Sequence, residues 1–347
     1  MTSSPFDHPI YGELFGDPEI APVLSAETEI LTMLAFEIAL AQAEAEQGVI
    51  PMTAAEAIRA TLAARPPSVL DLATGTGVDA VPGPSFVRHL KAALGDHGQY
   101  LHFGATSQDV GDSAAMVRLK MIVSALQGRI DLLGSALQAL ATNYGSNPLM
   151  GRTRMQAALP IVVADRVRAW WGPLGRLRNE LPGDVFAVQF GGPVGTLAEL
   201  GDAGPAVRQR VAQLLDLADA PCWHTQRDRV VRIAGWLATL TGAVGKLGQD
   251  VALMAQMGEI VLAGAGTSSA MPHKQNPVKA EVLVALARYS ATLLPAMHQS
   301  MVHEQERSGA AWTLEWLVLP QMAMTAASAT RLALRLLGQV EGMGANG

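Results

Sequence analysis

The stretch "GTSSAMPHKQNPVKAE", residues 266–281, interrupts a chain otherwise rich in helix-forming residues. Gly266, and Gly264 just upstream, free the backbone, while Pro272 and Pro277 limit any helix. Between them lie two serines, the ammonium of Lys274 and the carboxamide of Asn276. That composition predicts a polar loop between two apolar helical stretches. Its backbone N–H groups, with Lys274 and Asn276, suit a carboxylate or a developing enolate, and Ser268 is placed to exchange a proton.

On both sides of this loop Ala, Leu, Met, Glu and Gln recur at spacings near three and four, and aromatics make up only 5% of the chain. The pattern predicts an all-α protein built from long helices. The first long one is expected over 26–47, ended by Gly48 and Pro51, with Ile30, Leu34, Ile38 and Ala41 along one face. A second is expected over 113–144, capped by Asp112 and carrying Met116, Leu119, Val123, Leu126 and Ile130 at helical spacing. Others are expected over 155–181, 227–262, 277–304 and 314–340, the last kinked at Pro320. Helices of such length pack side by side as a bundle. The segments 102–109, 151–156, 189–196 and 266–277 then form loops near its ends.

One segment argues for a different class. "VLDLATGTG", residues 69–77, resembles the strand and glycine loop of S-adenosylmethionine-dependent methyltransferases. Pro82 and Pro84 follow closely, however, and no strand–helix alternation continues downstream, so it is expected to be a turn between two N-terminal helices.

Composition sets further bounds. The 347 residues are 49% apolar and 16% charged, enough for a sizeable core. A net charge of −6 and a pI near 5.8 give no general attraction to nucleic acid or an anionic membrane. The lone Cys222 excludes an intrachain disulfide. With no basic leader and no uninterrupted apolar run of roughly 20 residues, the chain is expected to be cytoplasmic and not to span a membrane. The mean hydropathy of +0.22 then reflects helices buried on several sides. The eight histidines show no paired spacing, so no metal site is expected.

Residues 266–281 closely resemble the signature G-S-S-x-M-P-x-K-x-N-P-x-x-x-E of the fumarase/aspartase superfamily. "LAFEIALAQAEAEQGVIP" (34–51) resembles its N-terminal helix, "HFGATSQDVGDS" (102–113) its first active-site segment and "GRTRMQAALP" (151–160) its second. Within the superfamily, "GATSQD", "QFGGPVGTLAELG", "CWHTQRDR" and "HEQERSGAAWTLEWLVLP" are most similar to the bacterial muconate cycloisomerase branch.

The resemblance implies a long-helix bundle with a small N-terminal helical domain over 1–103, a central bundle over 104–312 and a shortened C-terminal segment over 313–347. It implies a homotetramer in which each active site draws loops from three chains. It also implies a small tricarboxylate substrate, cyclised without cofactor or metal through an enolate-like dianion. Ser268 corresponds to the loop serine that moves a carbon-bound proton, Lys274 to its catalytic partner, and Asn276 to a substrate contact. Thr106 and Ser107 resemble carboxylate-binding residues, His102 a histidine placed in the site, and Gln156 and Arg227 further substrate contacts. Arg154 stands where many superfamily lyases carry an acid–base histidine. A permanently charged guanidinium suits substrate binding better than proton donation. That departure favours the cycloisomerase branch over a β-elimination lyase such as adenylosuccinate lyase, and intact Ser268, Lys274 and Asn276 argue against an inactive structural relative.

Overall fold

The computed structural model describes residues 4–264, 266–267 and 275–344, and among them it is a helical bundle with three two-stranded pairings. The N-terminal part holds α1 (Gly12–Phe15), α2 (Ala26–Glu46), α3 (Met52–Ala64), α4 (Val69–Asp79) and α5 (Gly83–Leu94). The central part holds α6 (Ser107–Tyr144), the hairpin β1 (Pro148–Thr153) and β2 (Gln156–Val162), α7 (Val163–Leu177), α8 (Gly204–Leu214) and α9 (Asp228–Gln256). Short strands β3 (Ile260–Leu262), β4 (Gly266–Thr267) and β5 (Gln275–Asn276) precede α10 (Val278–Gln299), α11 (Ala310–Leu337) and β6 (Val340–Met343).

Several expected boundaries shift for local reasons. Residues 69–77 are not a turn but most of α4, started by Ser68, whose Oγ accepts from the Asp71 N–H at 3.1 Å. The second long helix starts at Ser107, because Asp109 Oδ2 accepts from the Thr106 N–H at 3.0 Å and so holds the chain at its start. Asp112 is therefore inside α6 and buried rather than a cap. The helix expected from 155 begins only at Val163: Arg154 and Met155, at φ 50° and 67°, make a two-residue reversal that pairs Thr153 with Gln156. The helices expected to end at 262 and 304 stop at Gln256 and Gln299, and α11 continues through Pro320.

The direction of each long helix follows from contacts at its ends. Arg227, just before α9, pairs with Asp112 in the second turn of α6. Arg152, just beyond α6, pairs with Glu259, just beyond α9, at 2.5 Å. Near the start of α11 the Trp312 indole donates to Asp112, and just after its end the Gln339 carboxamide donates to the Ala263 carbonyl. α6, α9 and α11 thus run the same way, and α10 returns between the two ends. Packing of α9 on α10 is close: a Cβ on Gly245 would lie 2.3 Å from that of Ala287, and one on Gly248 2.8 Å from the Ala280 carbonyl oxygen. By length and composition α9 and α10 are apolar enough to cross a membrane. α9 is mostly core, whereas only 28% of α10's most apolar window is buried.

Candidate active site

The sequence-predicted residues that are described fall at the two ends of this bundle. At the first end, Leu101 to Thr106 lead into α6. His102 has a left-handed backbone, φ 62°, and its Nδ1 lies 2.6 Å from Oε1 of Glu37, whose side chain is fully buried on α2. Burial alone would lower the imidazole's pKa. The charge of Glu37, its hydrogen bond and the charge of Asp109 outweigh that effect and hold it above the usual range. Four residues on, Thr106 Oγ1 accepts from the Arg307 guanidinium at 2.6 Å. Ser107 follows at the first position of α6, so close to α5 that a Cβ on Gly83 would sit 2.4 Å from its Oγ.

Beneath this surface the polar groups are fixed by one another. Asp109, wholly buried, accepts from the N–H groups of Thr106, Gly191 and Gly192 at 2.9–3.0 Å and faces His224 Nε2 at 2.8 Å. Burial would depress His224, but the hydrogen bond to Asp109, contact with Cys222 and their charges push it up to about 9. Arg227 is 2% exposed. Nη1 and Nη2 donate to Asp112 at 2.6 and 3.0 Å, while Nε and Nη2 donate to Glu315 at 2.9 and 2.5 Å. Four of its five N–H groups are thereby used, leaving no pair for bidentate binding of a substrate carboxylate. The expectation that Arg227 contacts substrate is corrected to that extent: the side chain does not offer a bidentate pair and acts as a buried strut joining α6, α9 and α11. A cavity of about 400 Å³, mostly apolar, lies between α2, α4, α6 and α11 and reaches Ser107 and Arg227.

The other end carries Arg154, Gln156 and Asn276. Arg154 and Gln156 sit on an exposed hairpin tip, and β4–β5 pairing sets Asn276 opposite Gly266. Ser268 and Lys274 lie outside the described residues. α6 alone, at 38 residues, separates the hairpin from Thr106 by about 57 Å. Within one chain, then, His102, Thr106, Ser107 and Arg227 come together, Arg154, Gln156 and Asn276 share the far end, and the two groups do not meet. Sequence reading missed Glu37 and Arg307. Glu37 alone had a local signal, a single acid in the otherwise apolar run "LAFEIALA".

A family model described as "Lyase" matches residues 21–289, and the chain belongs to that family, within the fumarase/aspartase superfamily. It is 37% identical to 3-carboxy-cis,cis-muconate cycloisomerase of Acinetobacter baylyi, over 96% of this chain and 77% of that protein. It is also 37% identical to the Pseudomonas aeruginosa enzyme of the same name, over 92% and 72%. The solved 3-carboxy-cis,cis-muconate lactonizing enzyme of Pseudomonas putida superposes with a TM-score of 0.90 at 32% identity, covering 96% of this chain and 77% of that one.

Proposed function

We infer that this chain catalyses the cycloisomerisation of 3-carboxy-cis,cis-muconate to 4-carboxymuconolactone. The observation that carries this reading is the likeness to muconate cycloisomerases along nearly the whole chain, including both ends that bear site residues. In the reaction one substrate carboxylate adds through oxygen to a conjugated double bond. Electron density moves onto the adjoining carboxylate as an enolate-like dianion, and a proton is then delivered to carbon. Since charge stabilisation is the difficult part, fixed donors supply much of the acceleration, several kcal/mol for a well-placed one.

The residues divide this work. Thr106, Ser107 and the Arg307 guanidinium hold a substrate carboxylate at the N-terminus of α6, where backbone N–H groups and the helix dipole favour anions. Arg154, Gln156 and Asn276 bind further carboxylate oxygens, Lys274 stabilises the dianion, and Ser268 moves the carbon-bound proton. The length of α6 supports a homotetramer, because residues some 57 Å apart in one chain can share a site only across copies. The exposed apolar side of α10 packs against another copy, not lipid, and the enzyme works in the cytoplasm. Residues 1–103 form the N-terminal domain of this assembly, 104–312 its bundle and 313–347 its C-terminal segment.

An ultraviolet assay of the purified protein, without added metal or cofactor, tests the reaction against 3-carboxy-cis,cis-muconate and adenylosuccinate in parallel. Loss of muconate absorbance with carboxymuconolactone as product is expected. Turnover of adenylosuccinate alone would replace the substrate assignment with a β-elimination.

A further inference from the structure

Glu37 has no assigned role in the chemistry, yet it is the most committed neighbour of His102. It lies on α2 in a run of Ala, Ile, Leu and Phe, where a carboxylate is costly to bury unless it meets a partner. Its side chain has no exposed surface, and Oε1 meets His102 Nδ1 at 2.6 Å, while Oε2 has no hydrogen-bond partner among the described residues. Two turns further on the same face Glu44 is also buried, with neither oxygen paired, and burial followed by the charge of Glu37 pushes its pKa up to about 9. Glu44 is therefore neutral at pH 7, and Glu37 is the α2 carboxylate whose charge faces the imidazole. The other ionisable groups acting on His102 are Asp109 on α6 and Lys91 on α5, of opposite sign.

The backbone of His102 points the same way. A non-glycine residue at φ 62° is held there against a local cost of about 1 kcal/mol or more, which the surrounding structure must supply. The turn is closed by the Ala105 N–H on the His102 carbonyl at 3.3 Å, and it sets the imidazole four residues before Thr106.

We propose that Glu37 is a positioning residue: its Oε1, 2.6 Å from Nδ1, accepts the Nδ1 proton of His102, fixes the ring, and so directs Nε2 toward the substrate held at Thr106 and Ser107. The proposal rests on the placing of His102 in the site under the proposed function. Because the family histidine of the second segment is replaced by Arg154, His102 is a titratable group that the first end of the site offers to a carboxylate or to the enolate-like dianion. No net chemistry occurs at Glu37. It keeps its hydrogen bond to Nδ1 while the Nε2 proton is shared or given and then regained.

The test uses the full-length enzyme with 3-carboxy-cis,cis-muconate, comparing Glu37→Gln, Glu37→Asp and His102→Gln. The pH profile of kcat/KM is read together with NMR titration of the labelled His102 ring. In Glu37→Gln the His102 titration and the alkaline limb of kcat/KM should both move down by a unit or more, and kcat should fall about 10-fold or further. Glu37→Asp should restore part of each. An unmoved titration and profile in Glu37→Gln, with His102→Gln inactive, would overturn the proposal alone. Full turnover by His102→Gln would remove His102 from the site, and the proposal with it. Should Glu37→Gln fail to fold, a His102 ring in the unsubstituted enzyme that titrates at or below the ordinary pH of about 6.5 would overturn the proposal just as well.

Discussion

Asp109 accepts three backbone N–H bonds and faces a buried imidazole, so the start of α6, the turn at 191–192 and His224 are held as one unit. The arrangement makes stability depend on pH in a definite direction. His224 moves from an ordinary 6.5 to about 9 on folding, so its contribution is complete below pH 6.5 and disappears as pH rises through 9. The shift corresponds to about 3 kcal/mol. Urea unfolding at pH 6 and pH 9.5 should show a loss of this order in the unsubstituted enzyme and a much smaller one in His224→Gln, which keeps a neutral donor to Asp109. Equal losses in both would place the pH dependence elsewhere. Little of this was legible in the sequence, since Asp109 and His224 are 115 positions apart, as are Asp112 and Arg227. A guanidinium in "CWHTQRDR" reads equally well as a substrate clamp or as a strut until its partners are seen. Ser268 and Lys274 rest on the loop signature alone, since both lie outside the described residues.

Among the elements, the long helices were legible because apolar residues at spacings of three and four need a core to face, and α2 matches its expected span to within one residue. Boundaries set by reciprocal side-chain contacts were less so. Thr106 and Asp112 are both good caps by type, and the bond from the Thr106 N–H to Asp109 decides for Thr106. The hairpin was hidden because "MQAALP" contains helix formers, while its reversal uses Arg154 and Met155 at positive φ, where glycine and asparagine are the usual signals. That choice predicts a local instability. Met155 is 74% exposed and loses little packing on truncation, so Met155→Gly should relieve left-handed strain and stabilise the hairpin by about 0.5 kcal/mol. Hydrogen exchange of the β1–β2 amides should slow roughly two-fold, and in Met155→Val it should quicken.

At the scale of the whole molecule, three parallel helices with α10 returning between them place the candidate residues at opposite ends of one chain. His102, Thr106, Ser107 and Arg307 lie at the start of α6, and Arg154, Gln156 and Asn276 lie beyond its end, about 57 Å away. Separate loops could be recognised in the sequence, but their separation could not, because it depends on helix direction. If the site is completed by different copies, damage at one end in one chain and at the other end in a second chain need not fall in the same site. The decisive measurement is muconate turnover by assemblies formed from His102→Gln and Ser268→Ala chains, unfolded together and refolded at equal amounts, with native mass spectrometry to establish that mixed assemblies form. Each variant alone should be nearly inactive, and random mixing should restore about a quarter of the unsubstituted sites. Mixed assemblies that remain as inactive as either parent would contradict a site shared between copies.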